Sequence, residues 1–344
     1  MLDFSEAVLS NLSIHQVGNK SNEEGLIISE QEVPIKGTIA PLLTTYFTKP
    51  FKPQEFYNFS HETDLNLNEV YSYVKSIFND KTSLQMQSIH LAKHLYEESN
   101  HPNIKAGELY VAYFDNCYLH DELTEVIGIF KSEQKETFLK VFPEGKSFTV
   151  SRDDGININK LDKGCLIFNE NPEDGYKLLL VDNTNKGEDA KYWREFFLNV
   201  KPQEDNFFHT KNYLQMCKSF ANDAFPEADK IDQMSMVQES AKFFKEEDVF
   251  DKVNFHEKVL QEPELIEAFE DFKGDYQEKN KMKIYDEFDI NSDAVNKMKR
   301  VFKSVIKLDK NFHVYVHGNR NYIKKGFDEE SNMNFYQLFF KEES

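Results

Sequence analysis

ELYVAYFDNCYLHDELTEVIGIFKSE, Glu108 to Glu133, gathers aromatic and β-branched residues into two runs separated by a few polar ones. Such side chains fit the pleated, half-buried surface of a sheet, whereas Asn and Asp punctuate it. The stretch predicts strands over Glu108 to Tyr118 and Leu123 to Lys131, with another at Glu136 to Phe142. The connections between them are short and polar. Strands this close in sequence pair antiparallel, because a parallel pair needs a crossover of about a dozen residues.

Further short strands are expected at Leu12 to Val17 and Leu26 to Ser29, and then at Gly164 to Phe168, Leu178 to Asp182 and Trp193 to Val200. Helical patterns occupy Ile35 to Phe47, Leu67 to Phe78 and Ser83 to Glu98. After Lys201-Pro202 the texture changes to four candidate helices, Asn206 to Ala224, Lys230 to Lys245, Val249 to Leu260 and Glu264 to Asp275, with Gln277 to Lys283 as an exposed linker. The fold class that follows is α+β. An N-terminal mixed domain with an antiparallel sheet and helices spans 1-202, and a mainly helical C-terminal domain, ending in a basic helix and a β-hairpin, spans 203-344.

Charge is distributed unevenly. The chain of 344 residues carries a formal net charge of -19, yet Asp293 to Lys325 holds nine Lys or Arg against only Asp293 and Asp309. Just before it, Asn222 to Ile290 holds twenty Asp or Glu against nine Lys. A basic block on an acidic background points to an anionic partner. Read as a helix with Asn291 or Ser292 as N-cap, Ser292 to Lys307 places Val295, Met298, Val301, Phe302, Val305 and Ile306 on one arc at about 100° per residue. Lys297, Lys299, Arg300, Lys303 and Lys307 fill the opposite arc. Phe312 to His317 and Asn321 to Lys325 are expected to pair through a Gly318-Asn319 corner, adding Arg320, Lys324 and Lys325, with Asn334 to Phe340 as a third strand. In order and charge this resembles a winged DNA-binding layout in outline.

Composition limits the chemistry. Apolar residues make up 40% of the chain, with 31 Phe and 16 Tyr, enough for a sizeable core in spite of the net charge. No apolar run reaches about eighteen residues, and the opening segment carries Asp3 and Glu6 rather than a positive n-region. The expectation is a cytoplasmic protein with no membrane contact. Cys117, Cys165 and Cys217 lie far apart with no C-x-x-C, as for buried thiols in a reducing compartment. Arginine occurs only at Arg152, Arg194, Arg300 and Arg320. Lysine neutralises phosphate as a point charge, whereas bidentate reading of guanine favours arginine, so binding to nucleic acid would be tolerant of sequence.

Catalytic signatures are missing. The chain has no phosphate-cradling G-x-x-x-x-G-K-[ST], no G-x-G-x-x-G and no G-x-S-x-G. His90 and His94 have an i, i+4 zinc-ligand spacing, but Leu91 stands where H-E-x-x-H requires its glutamate. The Asp182 to Asp189 loop has the composition of a calcium loop without its spacing. His313 and His317 read as strand residues that pack or hydrogen-bond. The expectation is a non-enzyme with no catalytic residues, no metal and no cofactor.

The order of segments resembles the bacterial nucleoid-associated protein family of the NdpA/YejK type. The likeness rests on LSNLSIHQVGNK (Leu9 to Lys20) with GLIISEQ after it, on Glu108 to Glu133, and on GININKLDKGCLIF (Gly155 to Phe168). It continues through YWREFFLNVKPQEDNFFHTKNYLQMCKSFA (Tyr192 to Ala221) and FDINSDAVNKMKRVFKSVIKLDKNFHVYVHG (Phe288 to Gly318), covering most of the chain. The resemblance implies a cytoplasmic, nucleoid-localised protein that binds DNA with little sequence choice and needs no cofactor. On so acidic a chain, binding would be confined to the basic C-terminal patch and weakened by salt. A homodimer would present two such patches and raise the apparent affinity. Two other readings start from the same residues: an interaction protein whose acidic Asn222 to Ile290 region engages a basic protein partner or covers the chain's own basic segment, and a metal-dependent nuclease built on clustered carboxylates.

Overall fold

In the computed structural model, which describes residues 2–52, 55–184, 191–223, 230–299, 304–316 and 322–342, Leu109, Val111 and Tyr113 face one core while Tyr110, Ala112 and Phe114 face another. Successive side chains of a strand point to opposite faces. A strand buried on both sides therefore reads as an unbroken apolar run, which is why ELYVAYF looked as it did. The chain divides into two compact units, Met1–Gln203 and Glu204–Ser344.

The first unit contains β1 (Leu2–Asp3), β2 (Val8–Val17), β3 (Leu26–Ile27), α1 (Ile39–Thr48), β4 (Tyr57–Phe59), α2 (Glu69–Asn79), α3 (Leu84–Glu98), β5 (Gly107–Leu119) and β6 (Glu122–Ser132). It continues with β7 (Glu136–Glu144), β8 (Ser147–Gly155), β9 (Lys163–Phe168), β10 (Lys177–Asp182) and β11 (Val200–Pro202). The main sheet has the order β11-β4-β10-β9-β6-β5-β2-β3, with β1 also on β5. Its pairings are antiparallel throughout, so the α+β class holds. On one face α2 and α3 bury Val70, Val74, Leu91 and Leu95 against Val111, Ile129 and Ile167. On the other, Phe47 of α1 stacks on Phe130 of β6 with ring centroids 4.2 Å apart.

One expected strand is a helix. Tyr192–Phe197 forms a π-helical turn, and only Val200–Pro202 joins the sheet. The Leu198 N–H donates to the Trp193 carbonyl at 3.1 Å, and the Trp193 and Phe197 rings lie 5.0 Å apart. Both rings are buried in the face that carries α3. Tyr192 and Trp193 are both buried, Arg194 to Phe196 are exposed, and Phe197 and Leu198 are buried again; a strand would alternate residue by residue, so this spacing demands a helical turn.

His15 on β2 is 2% exposed. Its Nδ1 accepts from the Ser29 N–H at 3.1 Å, and its Nε2 lies 2.9 Å from Ser88 Oγ, which itself donates to the Gln85 carbonyl. The ring is thereby held neutral with the proton on Nε2. Burial pushes its pKa down to about 4. A depressed folded-state value means that the unfolded chain binds the proton more readily, so this contribution is full above about pH 6.5 and drains away as pH falls toward 4. Between pH 7.5 and 5 the first unit should lose about 2 kcal/mol through His15. Trp193 is the chain's one tryptophan and lies in this unit, so denaturant unfolding followed by its fluorescence measures the loss. His15→Gln should unfold with a smaller difference between the two pH values.

The second unit contains α4 (Asn206–Asp223), α5 (Lys230–Glu246), β12 (Val249–Asp251), α6 (Lys252–Phe255) with a π-helical continuation over His256–Leu260, and α7 (Pro263–Asn280). β13 (Glu287–Asp289), α8 (Ser292–Met298), β14 (Ser304–Leu308), β15 (Phe312–Val316), β16 (Ile323–Asp328) and β17 (Met333–Leu338) follow. Its core is largely aromatic: Tyr213 is surrounded by Phe244, Phe250, Phe255, Phe269 and Phe288, with ring centroids 4.1 to 6.2 Å away. The expected helix at Val249 to Leu260 opens instead as strand β12, paired with β13. The expected linker at Gln277 to Lys283 is in part the last turn of α7, where Gln277 Oε1 accepts from the Ile284 N–H at 2.8 Å.

Candidate nucleic-acid interface

The basic segment does not form one long helix. α8 ends at Met298, and Ser304–Leu308 is strand β14, paired with β15 so that Val305 opposes Tyr315 and Ile306 opposes Val314. Val305 and Ile306 are β-branched, and such residues gain more from the cross-strand partners that β15 supplies than from a helix. Among the described residues the hairpins also pair differently from expectation. β15 returns onto β14, and β16 pairs with β17 from Ile323 opposite Leu338 to Asp328 opposite Met333.

α8 is short but well anchored. Asn291 Oδ1 accepts from the Asp293 and Ala294 N–H groups, each at 3.0 Å, which caps two of the free amides of the first turn. Ala294, Val295 and Met298 are buried, leaving Lys297 and the following Lys299 exposed. The Lys297 ammonium lies over the Phe207 ring of α4, 5.3 Å from its centroid. Lys299 donates to Asn296 Oδ1 at 2.5 Å and stands on the wall of a groove of about 320 Å³.

That groove is the feature sequence reading missed. Leu214 of α4, Ala241 of α5 and Val295 of α8 line it together with Lys242, Lys245, Glu246 and Lys299. Lys242 and Lys245 are exposed and one helical turn apart on α5. In sequence they are submerged in an acidic region, between Glu239 and the Glu246-Glu247-Asp248 run. Folding α5 against α8 brings them to Lys299. Lys242 is 3.9 Å from Glu239, an exposed pair of little energetic weight, so a phosphate can compete for it.

The remaining candidates lie on the two hairpins or outside the described residues. Lys307 falls in β14 opposite His313 rather than on a helix. Lys324 and Lys325 are consecutive in β16, opposite Gln337 and Tyr336, and so project from opposite faces of the ribbon. Lys324 lies 5.5 Å from the Phe339 ring centroid. Arg300, Lys303 and Arg320 lie outside the described residues, as do His317 and the Gly318-Asn319 corner.

Part of the acidity between Asn222 and Ile290 is satisfied internally. Lys273, 6% exposed, pairs with Asp286 and holds its carboxyl below the usual range, while Lys252 reaches Glu270 at 3.5 Å and Asp286 at 3.3 Å. His94 is engaged by Glu69 at 2.6 Å and the Phe197 carbonyl at 3.1 Å, and His90 stacks on Tyr73. Among the described residues no three His, Cys, Asp or Glu side chains are grouped to hold a metal ion. None of the described helices is long and apolar enough to cross a membrane.

Set against models of known families, residues 13–333 match one, described as that of the nucleoid-associated protein YejK. No curated protein matches the chain.

Proposed function

The chain belongs to the family of the nucleoid-associated protein YejK, and from that premise we propose that it binds duplex DNA non-enzymatically, with little choice of sequence, through the second unit. The observation that carries the reading is the convergence of Lys242, Lys245 and Lys299 around one groove. Three lysines on two elements line one concave surface, and their ammonium groups suit a phosphate backbone rather than base edges. Lys297, Lys324 and Lys325 of the described residues, with Lys307 on its hairpin and Arg300, Lys303 and Arg320, are candidates to extend the contact along the duplex.

Lysine heads are rotatable point donors that track phosphate without fixing a base. Sequence tolerance is therefore the direct expectation, and it suits a protein that coats a nucleoid rather than one operator. Localisation to the nucleoid follows from the same affinity. Anisotropy titrations with two labelled duplexes of equal length and unrelated sequence should give affinities within about threefold of each other. A preference of about a thousandfold, typical of operator-binding proteins, would refute the reading.

A further inference from the structure

Between β6 and β9, which pair directly, the chain runs out into the β7–β8 ribbon and back. Each residue from Glu136 to Asp154 is exposed. The two faces of the ribbon differ. One holds Lys140, paired with Asp153 and lying over Phe138, whose ring covers Gly155, with Phe142 on the same side and both rings 45 to 49% exposed. The other carries Leu139, Val141, Phe148 and Val150, which remain 60 to 70% exposed. Val141 directly opposes Val150, and Pro143 opposes Phe148, so these side chains form one continuous stripe.

We infer that this stripe is the surface by which two copies of the chain associate, the apolar face of one ribbon packing on the same face of the other. A two-stranded ribbon with an uncovered apolar face is marginal in water and needs a partner layer. Charge selects a second copy. A chain of -19 repels itself over most of its surface, but the ribbon has three cations, Lys140, Lys146 and Arg152, against four carboxylates, Glu136, Glu144, Asp153 and Asp154, a net of -1. It is a patch where like chains approach without strong repulsion and where a basic or acidic partner gains little.

The area suffices. Four large apolar side chains per copy with their flanking backbone cover on the order of 1,000 Å² over the pair, the lower bound for a specific interface. A two-fold arrangement uses the same patch on both sides and closes on itself. The root of the ribbon is fixed, because Asp162 Oδ2 accepts from the Glu133 and Gln134 N–H groups at 2.6 and 2.9 Å, and Glu136 receives Asn157 Nδ2 at 2.9 Å. The apolar face is therefore presented in a set orientation. Pro143 on β7 discourages edge-to-edge extension, favouring the face over the edge.

The test is the mass of the full chain in solution by light scattering, for the wild type and for Leu139→Lys/Phe148→Lys. Both replaced side chains are exposed, so the fold tolerates the change. The expected result is twice the 40.4 kDa chain mass for the wild type and the single mass for the variant. Val150→Cys supplies a second measurement: Cys117, Cys165 and Cys217 are buried, so oxidation should give a linked dimer through the new thiol alone. A wild type that stays at one chain mass, or a variant that stays at two, overturns the inference. A variant of unchanged mass that loses DNA affinity also overturns it, and makes the ribbon a DNA-contacting arm. The groove lysines are untouched in these variants, so the DNA reading fails or stands separately.

Discussion

Lys131→Ala is expected to destabilise the first unit by about 3 to 5 kcal/mol, the range for a buried ion pair that loses one partner. Lys131 and Lys163 are adjacent across β6 and β9, and both are fully buried. The Lys131 Nζ donates to the Lys105 carbonyl at 2.6 Å and to Tyr192 Oη at 3.2 Å, and lies 3.1 Å from Glu133 Oε1. Tyr192 in turn donates to Glu133 Oε1 at 2.8 Å. Burial, with Glu133 beside it, holds the Tyr192 phenol well above its ordinary range, so it remains a donor. Burial also draws Lys131 down, opposed by the Glu133 charge. Lys163 is held by Asp182 at 2.7 Å and Thr184 at 2.9 Å.

Removing the Lys131 ammonium leaves Glu133, 1% exposed on its side chain, charged and without its cation. Glu133→Gln removes that charge while keeping an oxygen for Tyr192. The double variant Lys131→Ala/Glu133→Gln should therefore recover at least half of the loss, an outcome that volume alone does not predict. Trp193 fluorescence against denaturant measures all three proteins. Equal stability of Lys131→Ala and wild type would show that the network contributes nothing net.

The second large effect concerns DNA. Changing Lys242, Lys245 and Lys299 to Glu replaces three cations by three anions within one groove. With a log-log salt slope of about -0.9 for each phosphate neutralised, three contacts alone predict a fall in affinity of about fortyfold between 50 and 200 mM salt. The triple variant should lose at least that much affinity at low salt, and its slope should flatten by about 3. The three side chains are exposed at the groove rim, so Trp193 and far-ultraviolet signals should be unchanged.

How legible the molecule was depended on burial. β5 and β6 could be read from sequence because their central runs, Leu109 to Phe114 and Val126 to Phe130, are buried on both faces and hold no polar side chain. The aromatic run at Tyr192–Phe197 carried the same residue types but buried adjacent pairs with three exposed residues between them, which composition does not reveal. Ser292 to Lys307 has a real helical period, and the change to strand at β14 depends on β15, a partner that lies beyond it in the chain. Lys242 and Lys245 were hidden by their acidic neighbours; their spacing of one helical turn was the signal available. Lys131 and Lys163 left no trace, because a lysine at the end of a strand is ordinarily solvated.

The central claim is that the groove of the second unit holds the DNA backbone, and the salt dependence of duplex binding by the full chain tests it most directly. Affinity should fall linearly on a log-log plot with a slope of about -3 or steeper for the wild type, and the slope should collapse when Lys242, Lys245 and Lys299 are reversed. Binding that is absent even at low salt, or whose slope is the same in the folded triple variant, would contradict it.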